Sequence, residues 1–296
     1  ISIDGATGEV FYGEISTFHL DLGGQKETQR LLSWADSARR LGVLANADTP
    51  DDAAHARFMG ADGIGLCRTE HMFLGDRVPM VRMALLNAPE AERWIQQHSD
   101  IDISKAPESV TKYRQSLSHL HKLQTEDFTG ILRAMPGLPV IIRLLDAPLH
   151  EFMPSTEELM RDIQEARSKN VSQSDRDSLE RLLSQVQAIK EGNPMLGHRG
   201  CRVGITFPEI SEMQVDAIIT ASIRLIQEGV AVKPEIMIPL TAHVNELGHL
   251  RRRLTETADR VQKTTGTPVN YLFGTMIEVP RSALTADEIA KEADFF

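Results

Sequence analysis

Three arginines and one glutamate each stand in or beside a short apolar run, and their types suit the handling of a small anion. The segments are GADGIGLCRTE with Arg68, PVIIRLLD with Arg143, NPMLGHRG with Arg199 and YLFGTMIEVP with Glu278. A guanidinium presents a fork of N–H donors that matches carboxylate and phosphate oxygens, and a nearby carboxylate can join a divalent-metal shell. Each residue also has a plainer reading. Arg68 could form an ion pair with Glu70, Arg143 with Asp146 and Glu278 with Arg281, while Arg199 could be an ordinary turn arginine between Gly197 and Gly200. Arg143 is the most demanding of the four, because a guanidinium inside a buried strand costs several kcal/mol unless it is paired.

Other reactive side chains carry weaker signals. His71, His150 and His198 lie near the same segments but have no Ser, Cys or second His at motif spacing. Cys67 sits beside Arg68, and a neighbouring cation can activate a thiol. A small buried filler is the simpler reading of both Cys67 and Cys201. Neither cysteine belongs to a CxxC or Cys/His spacing, and no Walker-type or GxGxxG phosphate loop occurs.

These residues need elements to position them, and from Gly42 onward strand-like and helical patterns alternate. Strands are expected at VLAN (43–46), IGLC (64–67), VIIRLL (140–145), CRVGI (201–205), IMIPL (236–240) and YLFGTMIEV (271–279), with DFF at 294–296 opening a seventh. Thr49 is placed to cap a helix with Pro50 in its first turn, and Gly60 to end it. Residues 79–134 read as helices with a polar break at 99–107. Ser155 to Glu158 form a capping-box pattern, and Leu182, Leu183, Val186 and Ile189 follow at helical spacing. A helical hairpin is therefore expected over 155–191, placed to cap the site or to dock another domain. Ser211 to Gln214 is expected to cap a further helix that Gly229 ends. The alternation predicts an α/β fold, a (β/α)8 TIM-type barrel that is incomplete here, with strands 1–6, the start of strand 7 and a helical insertion after strand 3. Ahead of it, residues 1–15 read as a β-hairpin or two short strands and residues 25–41 as a helix.

Composition narrows the function classes. A net charge of −10 argues against non-specific binding to nucleic acid or to an anionic membrane. RRRL at Arg251–Leu254, the densest basic run, reads as a solvated helix face. No apolar stretch is long enough to span a bilayer. Two unpaired cysteines suit a reducing compartment, so a cytoplasmic location is the default, or an organelle in a eukaryote. The chain begins in mid-pattern without an initiator Met, and six strands cannot close an eight-stranded barrel. An internal piece of a longer protein is therefore expected.

Taken together, GADGIGLCRTEHMF, IIRLLDAPLHEFMP, NPMLGHRGCRVGI and GTMIEVPRSAL closely resemble the pyruvate, phosphate dikinase family. The resemblance covers Gly42 to Phe296 and that family's phosphoenolpyruvate/pyruvate-binding barrel. It implies that residues 1–13 are the tail of a swivelling phosphohistidine domain, 14–41 a linker helix and 42–296 the truncated barrel. The implied reaction interconverts ATP, phosphate and pyruvate with AMP, diphosphate and phosphoenolpyruvate through a phosphohistidine. By motif position Arg68, Arg143 and Arg199 would bind substrate oxygens, and Glu278 would be one of two ligands to Mg2+. The resemblance also implies a homodimer, and it places the phosphorylated histidine, the second metal-binding acid and a cysteine proton donor outside this chain. Two alternatives are a phosphoenolpyruvate synthase-like enzyme and a non-catalytic barrel that senses phosphoenolpyruvate.

Overall fold

The computed structural model describes residues 1–16, 26–98, 105–169, 171–190 and 192–296. Its residues fall into two units, Ile1–Gly42 and Val43–Phe296. In the first, β1 (Ser2–Ile3) and β2 (Val10–Phe11) pair antiparallel. Asp4 organises the turn between them by accepting the N–H of Ala6 at 2.8 Å. α1 (Lys26–Ala38) follows with no buried residue, and Arg30 lies over the Trp34 ring.

The second unit alternates helices and strands. α2 (Pro50–Phe58) is capped as expected: Thr49 accepts the N–H of Asp52 and Pro50 opens the first turn. β3 (Ile64–Arg68) leads through a 3-10 turn at Thr69–Phe73 to α3 (Val78–Gln97) and α4 (Glu108–Ala134). The expected polar break at 99–107 lies partly outside the described residues, which omit 99–104. β4 (Pro139–Arg143) precedes the hairpin of α5 (Thr156–Ser168) and α6 (Gln173–Ile189). The capping box at Ser155 and Glu158 forms, Leu159 and Val186 pack into the apolar cluster of the body, and Ile163 is also buried. Then come α7 (Cys201–Thr206), α8 (Pro208–Gln227), β5 (Lys233–Ile238), α9 (Val244–Thr265), β6 (Leu272–Thr275), α10 (Pro280–Leu284) and α11 (Ala286–Ile289).

The strands form one parallel sheet in the order β3-β4-β5-β6. Alternate residues enter the core: Ile64, Cys67, Val140, Ile142, Ile236, Ile238 and Phe273 meet Phe128 and Ile131 of α4 and Ile218 of α8. A second apolar cluster joins Phe73, Leu85, Tyr113, Phe152, Leu159 and Val186 under the helical layer. Both sheet edges are extended by backbone contacts. Ala45, in the expected first strand, bridges parallel to Ile64. At the other edge Thr275 donates to the Phe295 carbonyl at 3.3 Å and Asp294 to that of Phe273 at 2.8 Å. Gly274 permits this approach, since a Cβ there would lie 2.4 Å from the Phe295 oxygen.

The expected strand count needs correcting. CRVGI is the helix α7 and not a fourth strand, so the described sheet holds four strands with one bridged residue and one hydrogen-bonded tail at its edges. A five-residue apolar run fits a strand or a buried turn of helix equally well. The choice here follows from Gly200, whose φ of +58° turns the chain sharply into the helix. Ser211 lies inside α8, which starts at Pro208, and so caps nothing. The RRRL run is only partly solvated: Arg251 pairs with Asp294, and Arg253 with Glu212.

Candidate active site

The parallel register brings the predicted charges to one end of the sheet. Arg68 and Arg143 are the last residues of β3 and β4 and stand directly opposite each other. An irregularity between Ile64 and Cys67 sets this alignment: Ile64 pairs with Val140 but Cys67 with Ile142. Such bulges re-aim the side chains that follow them. Glu278 follows β6, and Arg199 precedes α7 in the chain entering from the hairpin. The C-terminal ends of parallel strands are where α/β folds gather their functional groups.

Each arginine is anchored by a carboxylate. Asp48, between the Ala45 bridge and the Thr49 cap, accepts the Arg68 backbone N–H at 2.7 Å, its Nη2 at 2.8 Å and its Nε at 3.2 Å. Burial works to raise the pKa of Asp48, but the Arg68 backbone and side chain with His71 outweigh it and hold this acid below its ordinary value. Arg143 donates through Nη2 to Glu70, and its Nη1 forms an ion pair with Asp146 at 3.2 Å. Its Nη1 also lies 3.5 Å from Met276 Sδ, so the side chain crosses the sheet face from β4 to the end of β6. Arg199 donates from Nε to Asp146 at 3.1 Å, and its Nη2 lies 3.0 Å from the same carboxylate as an ion pair.

Asp146 is the hub, with a side chain 1% exposed. Burial pushes its pKa up, the guanidiniums of Arg199 and Arg143 oppose that, and the charge of Glu278 adds to the rise. Gly200 makes the hub fit, because a Cβ there would meet Leu240 Cβ at 2.8 Å and Asp146 Oδ1 at 3.0 Å. Leu240 itself has a φ of +58°, uncommon for a non-glycine residue. Its N–H donates to Glu278 Oε1 at 2.7 Å, and its carbonyl accepts from Cys201 Sγ at 3.2 Å.

Of the plainer pairings proposed from sequence, Arg143 with Asp146 forms and the other two do not among the described residues. Arg68 pairs with Asp48 and not Glu70, whereas Glu70 pairs with Arg143. Among the described residues Glu278 makes no ion pair with Arg281 and instead holds a backbone amide. Asp48 was missed because it lies 20 residues before its partner and meets it only once Ala45 joins the sheet. Of the histidines, His71 borders the site with Nδ1 2.7 Å from Asp48. His150 lines a separate hollow with Val186 and Lys190, and His198 contacts Thr206 and the Phe207 ring. The thiols are inert filler: burial drives Cys67 well above its ordinary pKa and Cys201 up to about 12.

The site still has unused hydrogen-bonding capacity. Arg143 Nε and Glu70 Oε2 are buried and unpartnered among the described residues. Glu70 also lines a cleft of about 250 Å³, together with His71, Asp146, Glu151, Phe152 and Arg199. A buried polar atom without a partner is costly, so such atoms beside a cleft point to a polar ligand. No group of three or more His, Cys, Asp or Glu close enough to hold a metal occurs among the described residues. Glu278 is exposed with one oxygen committed to Leu240, which suits a shell that takes one protein carboxylate and fills the rest with water and ligand oxygens.

Comparison with known proteins gives the family. Residues 23–296 match the family described as PEP-utilising enzyme, PEP-binding domain. The whole chain is 44% identical to a chloroplastic pyruvate, phosphate dikinase of Mesembryanthemum crystallinum, covering 28% of that protein. It is 43% identical to the pyruvate, phosphate dikinase of Rhizobium meliloti and 41% identical to that of Clostridium symbiosum, covering 30% and 31% of them. The chain thus spans less than a third of the length of these relatives. It belongs to the PEP-utilising enzyme family and carries that family's PEP-binding domain.

Proposed function

We propose that this chain supplies the phosphoenolpyruvate/pyruvate site of a pyruvate, phosphate dikinase, the phosphotransferase that interconverts ATP, phosphate and pyruvate with AMP, diphosphate and phosphoenolpyruvate. The observation that carries the reading is Arg143: a mostly buried guanidinium held by two carboxylates, Glu70 and Asp146, that both line a cleft, with its own Nε unpartnered among the described residues. The parallel sheet is read as an arc of a (β/α)8 barrel, with residues 42–296 as the barrel, 14–41 as a linker and 1–13 as the tail of a phosphohistidine domain that delivers the phosphoryl group. A homodimer is part of the same reading.

Arg68, Arg143 and Arg199 bind the substrate oxygens. Asp48, Glu70 and Asp146 hold one edge of each fork, so little side-chain freedom remains to be lost on binding. In the transfer step the N–P bond of the phosphohistidine breaks as a bond forms between phosphorus and the pyruvate enolate oxygen. The developing charge spreads over the phosphoryl oxygens, where fixed guanidinium donors lower the barrier. Glu278 would hold Mg2+, which when bound supplies charge neutralisation at the substrate oxygens.

Calorimetric titration of oxalate, an enolate mimic, tests the site. Binding that depends on Mg2+ is expected; a folded protein that binds no oxalate with Mg2+ present would refute the reading.

A further inference from the structure

One titratable side chain bordering the cleft is left unused by the roles above. His71 sits in the 3-10 turn after β3, its side chain 44% exposed, and places Nδ1 2.7 Å from Asp48 Oδ2. The same oxygen receives Arg68 Nη2 and Nε. Asp48 is 10% exposed and held below the ordinary carboxylate range, so it is an ionised acceptor that cannot donate. The hydrogen of this contact must therefore belong to His71 Nδ1, which fixes the tautomer. Nε2 has no partner among the described residues, and His71 lines the cleft with Asp146 and Arg199. A carboxylate that orients one imidazole nitrogen and leaves the other to a reactant recurs in general acid–base and metal sites.

We propose that His71 is a further substrate-contact residue: Asp48 fixes it through Nδ1–H, and on anion binding Nε2 takes up a proton and donates it in a hydrogen bond to a substrate oxygen. The proton comes from solvent or a buffer acid, whose bond to it breaks as Nε2–H forms; no bond of the substrate changes, and the imidazolium lies between Asp48 and the bound anion. The charged groups around it are Asp48 before α2, Arg68 on β3, Glu70 on its own turn, Asp146 and Glu151 after β4, and Arg199 before α7. This role rests on the anion site proposed above.

The test is calorimetric titration of oxalate with Mg2+, repeated in buffers of different ionisation enthalpy, on the wild-type protein and on His71→Asn. Asparagine can keep a donor toward Asp48 while deleting Nε2. The expected results are uptake of protons by the wild type and, in H71N, loss of that uptake with binding weakened about tenfold. Equal affinity and equal uptake in H71N would overturn the role of His71 and leave the anion site standing. No oxalate binding by the wild type would overturn the anion site and this role with it. Imidazole nitrogen NMR of the unliganded wild type gives a check that needs no variant. The Nδ1–H form is expected, and an Nε2–H form would contradict the orientation by Asp48.

Discussion

Two carboxylates, Asp146 at the sheet end and Glu92 between helices, are both taken almost completely out of water, with 1% and 4% exposure. They are compensated in opposite ways. Asp146 is gripped by the guanidiniums of Arg143 and Arg199. Glu92, on α3, accepts the Tyr113 hydroxyl at 3.0 Å and faces a second acid, Glu209. Burial, with the charge of Glu209, pushes Glu92 up to about 7 from an ordinary 4.5, against the weaker pull of Tyr113 and Arg253. Burial alone therefore does not make a site. Asp146 is embedded among fixed positive charge beside a cleft, whereas Glu92 is an acid in the scaffold held by hydrogen bonds and makes no ion pair among the described residues.

The comparison can be broken at either end. Asp146→Ala leaves two mostly buried guanidiniums without their shared partner, and removing one member of a buried ion pair costs about 3–5 kcal/mol. Urea denaturation should show a loss of that size; a change under about 1 kcal/mol would mean that Glu70 and water suffice. Glu92→Gln should act more gently and through pH. Because the folded-state pKa of Glu92 is raised, the native protein binds more protons than the unfolded chain between the two values, and stability is lost as pH rises through about 7. The wild type should weaken between pH 5 and pH 8 by at most on the order of 3 kcal/mol. The Gln variant should lose that slope, and parallel stability–pH curves would show that Glu92 is not the source.

What the sequence disclosed and what it hid follow from range. β3, β4, β5 and β6 were legible because Ile64, Val140, Ile142, Ile236 and Phe273 lie in local apolar runs, and so were the caps at Thr49 and Ser155, which depend on residues three apart. Arg68, Arg143 and Glu278 stood out as charges in or just after such runs, and Arg199 as an arginine in a glycine-flanked turn. Of their partners, Asp146 was legible for Arg143, three residues away. Asp48 with Arg68, Glu70 with Arg143 and Asp146 with Arg199 were not, because they are set by sheet register and by the entry of the chain at Gly200. α7 was misread because five residues cannot separate two periodicities. Glu92 left a trace that could have been noticed, a charge on the otherwise apolar face of α3 that carries Leu85, Ala88 and Ala91.

The central claim is that the arginines at the sheet end form an anion site with Arg143 at its centre, and the most direct test is oxalate titration into Arg143→Ala beside the wild type, with Mg2+ present. Loss of measurable binding in the variant, with the wild type binding and both proteins folded by circular dichroism, is the predicted result. Undiminished affinity in R143A would contradict it, leaving Arg143 a structural ion pair and placing the anion elsewhere.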